Sequence, residues 1–382
     1  MKRLLFVSNG HGEEAIAGRI AADMSKRCDV QCDHLALVGD FGHPSLMHQV
    51  GPRRSMPSGG LIAMGNLRNM WRDLKNGLVA HTIAQVRFLH SVRGRYDCAI
   101  AVGDTFALLM AKRSRARRTV FVGTAKSVYV APYGKGERRI LAGADAIFVR
   151  DEHTAAHLRA SGVAAEAPGN VIVDLFSERT QTVPAFAERI AIFPGSRESA
   201  YADAVFLCAV LRDVAGRRPG IGATLSVAPG LDAARFASGC REDGWNVGPG
   251  ASPEVPFVLS LGGRAIVTAW SGAPGAMLSG ALVVLGQAGT ANEAAAADGI
   301  PVVAFEPPGA RQHGWYRMRQ RGLLGDAMLM ISGNVADSAR ALERLLDDQA
   351  ARDAMGAAGR ERMGLPGGSA AIAAKIAVMV DC

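Results

Sequence analysis

Three loops in this 382-residue chain carry the residue types that chemistry needs. Each follows a short apolar run and precedes a helical pattern. The first reads Ser8-Asn9-Gly10-His11-Gly12-Glu13-Glu14-Ala15. Gly10, Gly12 and Ala15 match the spacing of a dinucleotide fingerprint, and the stretch from Asp29 to Asp40 would supply a later acid. Against that reading, Glu13 and Glu14 fall in the helix's first turn, where they satisfy the macrodipole themselves and repel a pyrophosphate. Two further readings stand beside it: a plain strand-to-helix turn with acidic first-turn residues, and a substrate-facing turn that uses His11.

The second loop is Phe193-Pro194-Gly195-Ser196-Arg197-Glu198. Gly195 permits close backbone approach, Ser196 offers a hydroxyl and Arg197 a fork for phosphate oxygens. That set is either a diphosphate cradle or an ordinary turn with a solvated arginine. The third loop, Gly286-Gln287-Ala288-Gly289-Thr290-Ala291-Asn292-Glu293, opens a small-residue helix. Thr290 and Glu293 have capping-box spacing; alternatively the helix N-terminus takes a phosphate and Glu293 takes ribose hydroxyls. One carboxylate cannot serve both purposes.

Other arrangements offer less. Asp104 stands where a helix N-cap would, before Thr105-Phe106-Ala107-Leu108. His153 and His157 have the spacing of a metal-ligand pair but lack a third ligand, so no metal is expected. Nucleophile-elbow, Cys-x-x-Cys, His-Glu-x-x-His and Walker motifs are absent from the sequence, which leaves hydrolase, redox and ATPase readings unsupported.

The elements that must position these loops are short β-branched runs alternating with helical spacing. Strands are expected at residues 3–8, 34–38, 98–103, 119–123 and 146–150, then at 190–194, 223–228, 265–269, 282–286, 301–305 and 327–331. Segments 13–26 and 201–215 carry apolar residues at helical period, as in Val205, Cys208, Leu211 and Ala215. Continuous apolar strands separated by helices predict parallel sheets covered on both faces. The pattern therefore reads as two doubly wound, Rossmann-like α/β domains, residues 1–180 and 186–365, with a final helix in 366–382 crossing back to the first.

Composition narrows the class. With 49% apolar and 20% charged residues the chain is neither disordered nor collagen-like. Six scattered cysteines read as thiols in a reducing compartment, not as a disulfide scaffold. The net charge is +8, and it is uneven: residues 1–180 carry +9 and the remainder −1. A basic half suits an anionic membrane surface or a phosphorylated substrate. No nucleic-acid module is visible, so no nucleic-acid partner is expected. Segment 61–92 interleaves Met64, Leu67, Trp71 and Leu74 with Arg68, Arg72 and Lys75; it either lies in a lipid interface or packs on the core with a solvated basic face. The apolar run 4–7 is too short for a signal peptide, and no stretch of about 18 uncharged apolar residues occurs. The expectation is a cytoplasmic protein, peripheral on the inner face of the membrane if segment 61–92 meets lipid.

The Pro194-Gly195-Ser196-Arg197 loop and the Gly289-Thr290-x-x-Glu293 segment, followed by Gly299-Ile300-Pro301-Val302-Val303, resemble nucleotide-sugar glycosyltransferases of the GT-B fold. More narrowly they resemble bacterial lipid-A-disaccharide synthases. Ala63-Met64-Gly65, Val102-Gly103-Asp104, Tyr129-Val130-Ala131-Pro132 and Pro168-Gly169-Asn170 fall in that family's order. The resemblance implies two domains facing a cleft, with UDP on the second. Gly195, Ser196, Arg197, Gln287, Gly289, Thr290 and Asn292 would bind the nucleotide and Glu293 would hold the ribose. It marks Asp104 as the general base. With His11 read as substrate-facing, these two are the candidate catalytic residues, and Asn9, Gly10, Gly12 and Glu13 form the acceptor-side loop. The chain departs from the family in that loop, where a Ser-Gly-Asp-type motif belongs, and at Tyr133-Gly134-Lys135-Gly136-Glu137, where a tryptophan-rich stretch belongs.

The expected activity is inverting, metal-independent transfer of a sugar of N-acetylglucosamine type. The donor is a UDP-sugar, and the acceptor a hydroxyl of a lipid or envelope-glycan precursor; no cofactor is expected. The alternatives are a UDP-sugar epimerase of the same architecture and a non-catalytic nucleotide-sugar-binding protein.

Overall fold

The computed structural model describes residues 1–39, 47–54, 77–306 and 314–382. Met64, Leu67, Trp71 and Leu74 lie outside the described residues. The chain divides into two compact units: Met1–Leu175 with Pro366–Cys382, and Phe176–Leu365.

Unit 1 runs β1 (Lys2–Ser8), α1 (His11–Ser25), β2 (Val30–Ala36), β3 (His48–Gln49), α2 (Leu78–Ser91), β4 (Cys98–Gly103), α3 (Thr105–Arg113), β5 (Arg118–Gly123), α4 (Lys135–Leu141), β6 (Ala146–Val149), α5 (Glu152–Arg159) and α6 (Val171–Asp174), and ends on a C-terminal helix, Gly368–Met379. Its sheet is parallel throughout, in the order β3-β2-β1-β4-β5-β6. Successive side chains of a strand point to opposite faces, so β1 divides its apolar residues between two layers. Leu4 and Phe6 pack with Ile16, Ile20 and Met24 of α1 and with Ile372 and Ile376 of the C-terminal helix. Leu5 and Val7 pack with Leu89 of α2, Leu108 of α3, Leu141 of α4 and Leu158 of α5. Both faces are thereby covered, as a parallel sheet requires.

Unit 2 runs β7 (Glu188–Phe193), α7 (Ala200–Ala215), β8 (Ile221–Ser226), α8 (Ala233–Glu242), β9 (Asn246–Ser252), β10 (Val255–Leu261), β11 (Arg264–Trp270), α9 (Pro274–Leu278), β12 (Val283–Gly286), α10 (Thr290–Ala297), β13 (Val302–Glu306), α11 (Gly314–Leu324), β14 (Met328–Ser332), α12 (Val335–Asp347) and α13 (Gln349–Met363). Its sheet order is β14-β13-β12-β7-β8-β11-β10-β9. The first six strands in that order are parallel, and β10 and β9 extend the edge as an antiparallel hairpin. Without the hairpin the connectivity repeats that of unit 1, a first strand flanked by the second and the fourth. The two doubly wound α/β domains expected from the sequence are present.

Three expectations need correction. The strand expected at 34–38 is β2 at Val30–Ala36, and the hairpin was not anticipated. The six cysteines are not all thiols. Cys28 and Cys382 form a disulfide, with Cα atoms 5.8 Å apart, while Cys32, Cys98, Cys208 and Cys240 are free and buried. A sequence separation of 354 residues gave no sign of that pairing.

The C-terminal helix is held at its start by a borrowed cap. Its own N-cap, Gly367, has no side chain to offer. Asp174, at the end of α6 and buried, accepts from the backbone N–H of Gly367 at 2.6 Å and of Ser369 at 2.7 Å. The Ser369 hydroxyl donates in turn to Asp23 of α1 at 2.8 Å. Burial raises the Asp23 pKa, but hydrogen bonds from Lys26 and Ser369 and the charge of Arg19 outweigh it and hold the carboxyl below its ordinary value. Replacing Asp174 with Ala removes the acceptor of two helix-terminal donors, the buried Ser369 N–H and the exposed Gly367 N–H, a cost of about 1–2 kcal/mol. The expected outcome is a lower denaturation midpoint in reducing buffer, together with faster hydrogen exchange in residues 368–379.

Candidate functional site

Ligands of doubly wound sheets bind beyond the carboxyl ends of the strands, where the strand order reverses. In unit 1 that point lies between β1 and β4, and in unit 2 between β7 and β12. The loops singled out in the sequence leave these four strands.

In unit 1, the chain leaves β1 through Ser8, Asn9 and Gly10, and α1 starts at His11. The His11 side chain lies outside what the structure describes. Glu13 and Glu14 occupy the first turn, and Gly10 and Gly12 supply the turn's backbone. Glu14 turns inward and is buried. Its carboxylate stands 3.5 Å from Gln49 Nε2 and 3.9 Å from His34 Nδ1. His34 is itself fully buried, with Nδ1 3.0 Å from Gln49 Oε1 and Nε2 2.8 Å from Ser8 Oγ. Gln49 Oε1 only accepts, so Nδ1 carries the proton and Nε2 accepts from the Ser8 hydroxyl. Burial pushes the His34 pKa down to about 4, so the ring is neutral around pH 7. This polar set beneath the first loop escaped the sequence reading.

Asp104 ends β4 and caps α3. Its Oδ1 accepts from the backbone N–H of Phe106 and of Ala107, both at 3.0 Å, and its Oδ2 accepts from Asn9 Nδ2 at 3.1 Å. The cap is thus what the geometry contains, and the same carboxylate is tied to the β1 loop through its second oxygen. Glu13 lies against Gly103, where a Cβ would stand 3.2 Å from its Cγ. Two carboxylates, Glu13 and Asp104, therefore share the carboxyl edge of β4. Farther along that edge, Thr124 Oγ1, Tyr133 Oη and Asp151 Oδ2 are buried without a hydrogen-bond partner among the described residues. Burial raises the Tyr133 phenol well above its ordinary value. His153 packs its ring on Tyr129, centroids 5.5 Å apart. No group of three or more His, Cys, Asp or Glu able to hold a metal occurs among the described residues.

In unit 2, Gly195 has φ +119°, a conformation that favours glycine. Ser196 and Arg197 follow, both exposed, and α7 begins without a side-chain cap. The backbone of Gln287 donates to the Phe193 carbonyl at 2.9 Å, and its side chain donates to the Phe305 carbonyl at 2.8 Å. Gln287 therefore laces together the ends of β12, β7 and β13. Asn292 is fully buried and donates to the Gly286 carbonyl at 3.1 Å and to Gln320 Oε1 at 3.2 Å. A Cβ at position 286 would fall 1.8 Å from the Asn292 amide, so glycine is required there. Gln320 Nε2 donates back to the carbonyls of Ala288, at 2.8 Å, and Gly289, at 3.2 Å.

Gln287 and Asn292, expected on the nucleotide, spend these amide donors on the loop. The capping-box reading of Thr290 and Glu293 is also corrected. The N-cap is Gly289, Thr290 is already the first helical residue, and no side chain caps α10. Glu293 is buried within the first turn and Thr290 is exposed. The outcome is an α10 N-terminus with free amides, next to a glycine turn carrying Arg197. A helix N-terminus of this kind favours an anion. Gln320 was invisible in the sequence, because it reaches this loop from the next helix but one strand.

Among the described residues no helix is long and apolar enough to cross a membrane. No protein-family model matches the sequence, and no curated protein does. Solved structures do match. The calicheamicin glycosyltransferase CalG4 aligns over 100% of this chain and 98% of its own, with TM-score 0.62 and 14% identity. S. aureus MnaA in complex with UDP aligns over 100% and 97%, with TM-score 0.61 and 12% identity. A UDP-GlcNAc 2-epimerase from Methanocaldococcus jannaschii aligns over 99% and 100%, with TM-score 0.54 and 12% identity. At such identities the likeness is one of fold. None of the three is a lipid-A-disaccharide synthase.

The buried imidazole makes stability depend on pH. His34 titrates near 4 when folded and near 6.5 when unfolded, so between those values the unfolded chain binds the extra proton. Its contribution is therefore complete above pH 6.5 and is lost as pH falls towards 4, to the extent of about 3 kcal/mol. Urea unfolding of wild type and His34→Gln over this range is expected to show a steeper loss in wild type.

Proposed function

We propose that this chain is a UDP-sugar-dependent enzyme and that it transfers the sugar to a hydroxyl acceptor. The observation that carries the nucleotide reading is the bare anion site of unit 2. Gly195 opens the turn, the Arg197 side chain makes no hydrogen bond or ion pair among the described residues, and neither α7 nor α10 is capped by the side chain of its own N-cap residue. Diphosphate oxygens would meet the Gly195–Arg197 loop and the first amides of α10, and Glu293 would hold the ribose. Support also comes from the fold shared with a glycosyltransferase and with a protein whose structure contains UDP.

In this scheme Asp104 Oδ2 takes the proton of the acceptor hydroxyl as that oxygen attacks the anomeric carbon. The bond from the anomeric carbon to the diphosphate breaks, and UDP leaves with its charge met by Arg197 and helix amides. Asn9 positions Asp104, and His11 is the second candidate for proton transfer. Gly10, Gly12 and Glu13 form the acceptor-side turn. The N-acetylglucosamine-type donor, the lipid or envelope-glycan acceptor and contact with an anionic membrane rest on the sequence resemblance. No metal enters the scheme.

Epimerisation is the second reading, favoured by the paired carboxylates Glu13 and Asp104 and by the fold shared with an epimerase. It needs acid and base around one bound sugar and no acceptor.

Calorimetry and product analysis test both readings. UDP is expected to bind wild type, and Arg197→Ala to weaken it by about 1.5–3 kcal/mol, the value of a charge-assisted phosphate bond. Asp104→Asn keeps a capping side chain and should lose turnover while UDP affinity stays unchanged. Incubating UDP-N-acetylglucosamine with and without membrane extract then separates the chemistries: an inverted donor formed without acceptor supports epimerisation.

A further inference from the structure

One buried cation of unit 2 has no part in the scheme above. Arg317, in α11, is 6% exposed, and its Nη1 has no hydrogen-bond partner among the described residues. Asp203 approaches its Nη2 only to 3.9 Å, too far for a hydrogen bond. A guanidinium taken out of water and left partly unpaired is costly unless an anion meets it.

The surroundings identify where that anion belongs. Asp203 lies in the first turn of α7, the helix that follows the Gly195–Arg197 loop. Gln320, three residues beyond Arg317 and on the same side of α11, is bonded to the carbonyls that precede α10. Arg317 is therefore bracketed by the two loops that end at the β7/β12 switch point. Neither helix that starts there has a side-chain cap. Uncapped amides and an orphaned guanidinium N–H are independent features that call for the same kind of ligand.

We propose that Arg317 is a second phosphate-binding residue, and that it sets the preference of this site for a nucleoside diphosphate over the monophosphate. The inference rests on the nucleotide reading of unit 2. Arg197 meets the diphosphate from the exposed rim, and Arg317 meets it from inside the fold. Asp203 is a positioning residue that holds the guanidinium between the loops. A monophosphate leaves one of the two cations unmatched.

The test is calorimetric titration of the full chain with uridine, UMP and UDP, for wild type, Arg317→Met and Arg317→Lys, with melting curves of each protein in the absence of nucleotide. Arg317→Met is expected to weaken UDP by roughly 10- to 100-fold, the loss of one charge-assisted bond. Uridine affinity should not change, and the preference for UDP over UMP should shrink. Arg317→Lys should recover part of it. Without nucleotide, Arg317→Met should melt no lower than wild type, because a buried guanidinium with an unpaired N–H and only a distant carboxylate has been removed. Unchanged UDP affinity in Arg317→Met overturns the inference. So does an equal loss for uridine and UDP with a lower melting temperature, which is the signature of a merely structural arginine. Failure of wild type to bind UDP at all would instead overturn the nucleotide reading on which the inference stands.

Discussion

A parallel sheet buried on both faces tolerates a polar side chain along its strands only where a partner satisfies it, and this constraint arranges much of the rest of the molecule. Leu4 to Val7 of β1 and Val283 to Leu285 of β12 are fully buried and apolar. Polarity begins where each strand runs out, at Ser8-Asn9 and at Gln287. The two sheets share their core connectivity, so each has one switch point with two loops leaving it. Chemistry is concentrated there because the rest of the sheet excludes it.

Helix capping shows how the edge is used. Helices α3, α5, α6, α8, α12 and α13 are closed by their own Asp104, Asp151, Asn170, Asp232, Asn334 and Asp348. The C-terminal helix is closed by Asp174. Helices α1, α7 and α10, which follow three of the four switch-point strands, have no side-chain cap. In α1 the first-turn glutamates answer the dipole. In α10 the first amides have no partner among the described residues, whereas the first amide of α7, that of Ala200, donates to the Arg197 carbonyl at 2.9 Å. Helices α2, α4 and α9 also lack a capping side chain of their own, so what marks the unit 2 switch point is that both helices leaving it, α7 and α10, start without one.

The strand–helix alternation was legible because most strands are short apolar runs, and the two loop motifs of unit 2 were legible because glycine, serine and arginine stand directly after strands. What was hidden depends on contacts across the fold. Strand β2 reads Val-Gln-Cys-Asp-His-Leu-Ala, and its polar residues masked it. Asp33 accepts from the Tyr96 hydroxyl at 2.7 Å and His34 is bonded to Ser8 and Gln49, so both are buried as satisfied polar groups. Strand β9 contains two glycines and a proline and is recognisable only beside β10. The capping box at Thr290 had the right spacing one residue out of register, an error within the usual uncertainty of helix ends. Gln320 and Arg317 lie on another helix from the loop they serve, and no local pattern connects them.

The two switch points also differ in the charge they accept, which bears on how the work is divided. At the α1 N-terminus Glu13 and Glu14 already supply the negative charge, and Asp104 adds another at the end of β4. A phosphate there would meet carboxylates before amides, which argues against the dinucleotide reading of Gly10-x-Gly12. A neutral hydroxyl suits that edge, because a carboxylate is the group that accepts its proton. At the β7/β12 edge the first amides of α10 and the Arg197 side chain have no partner among the described residues, a setting that suits a leaving diphosphate. A nucleophile that must lose a proton and a leaving group that must keep its charge have opposite electrostatic requirements. On the proposed function the two requirements fall to separate sheets, and the +9 of the first half would then be no guide to where an anionic substrate binds.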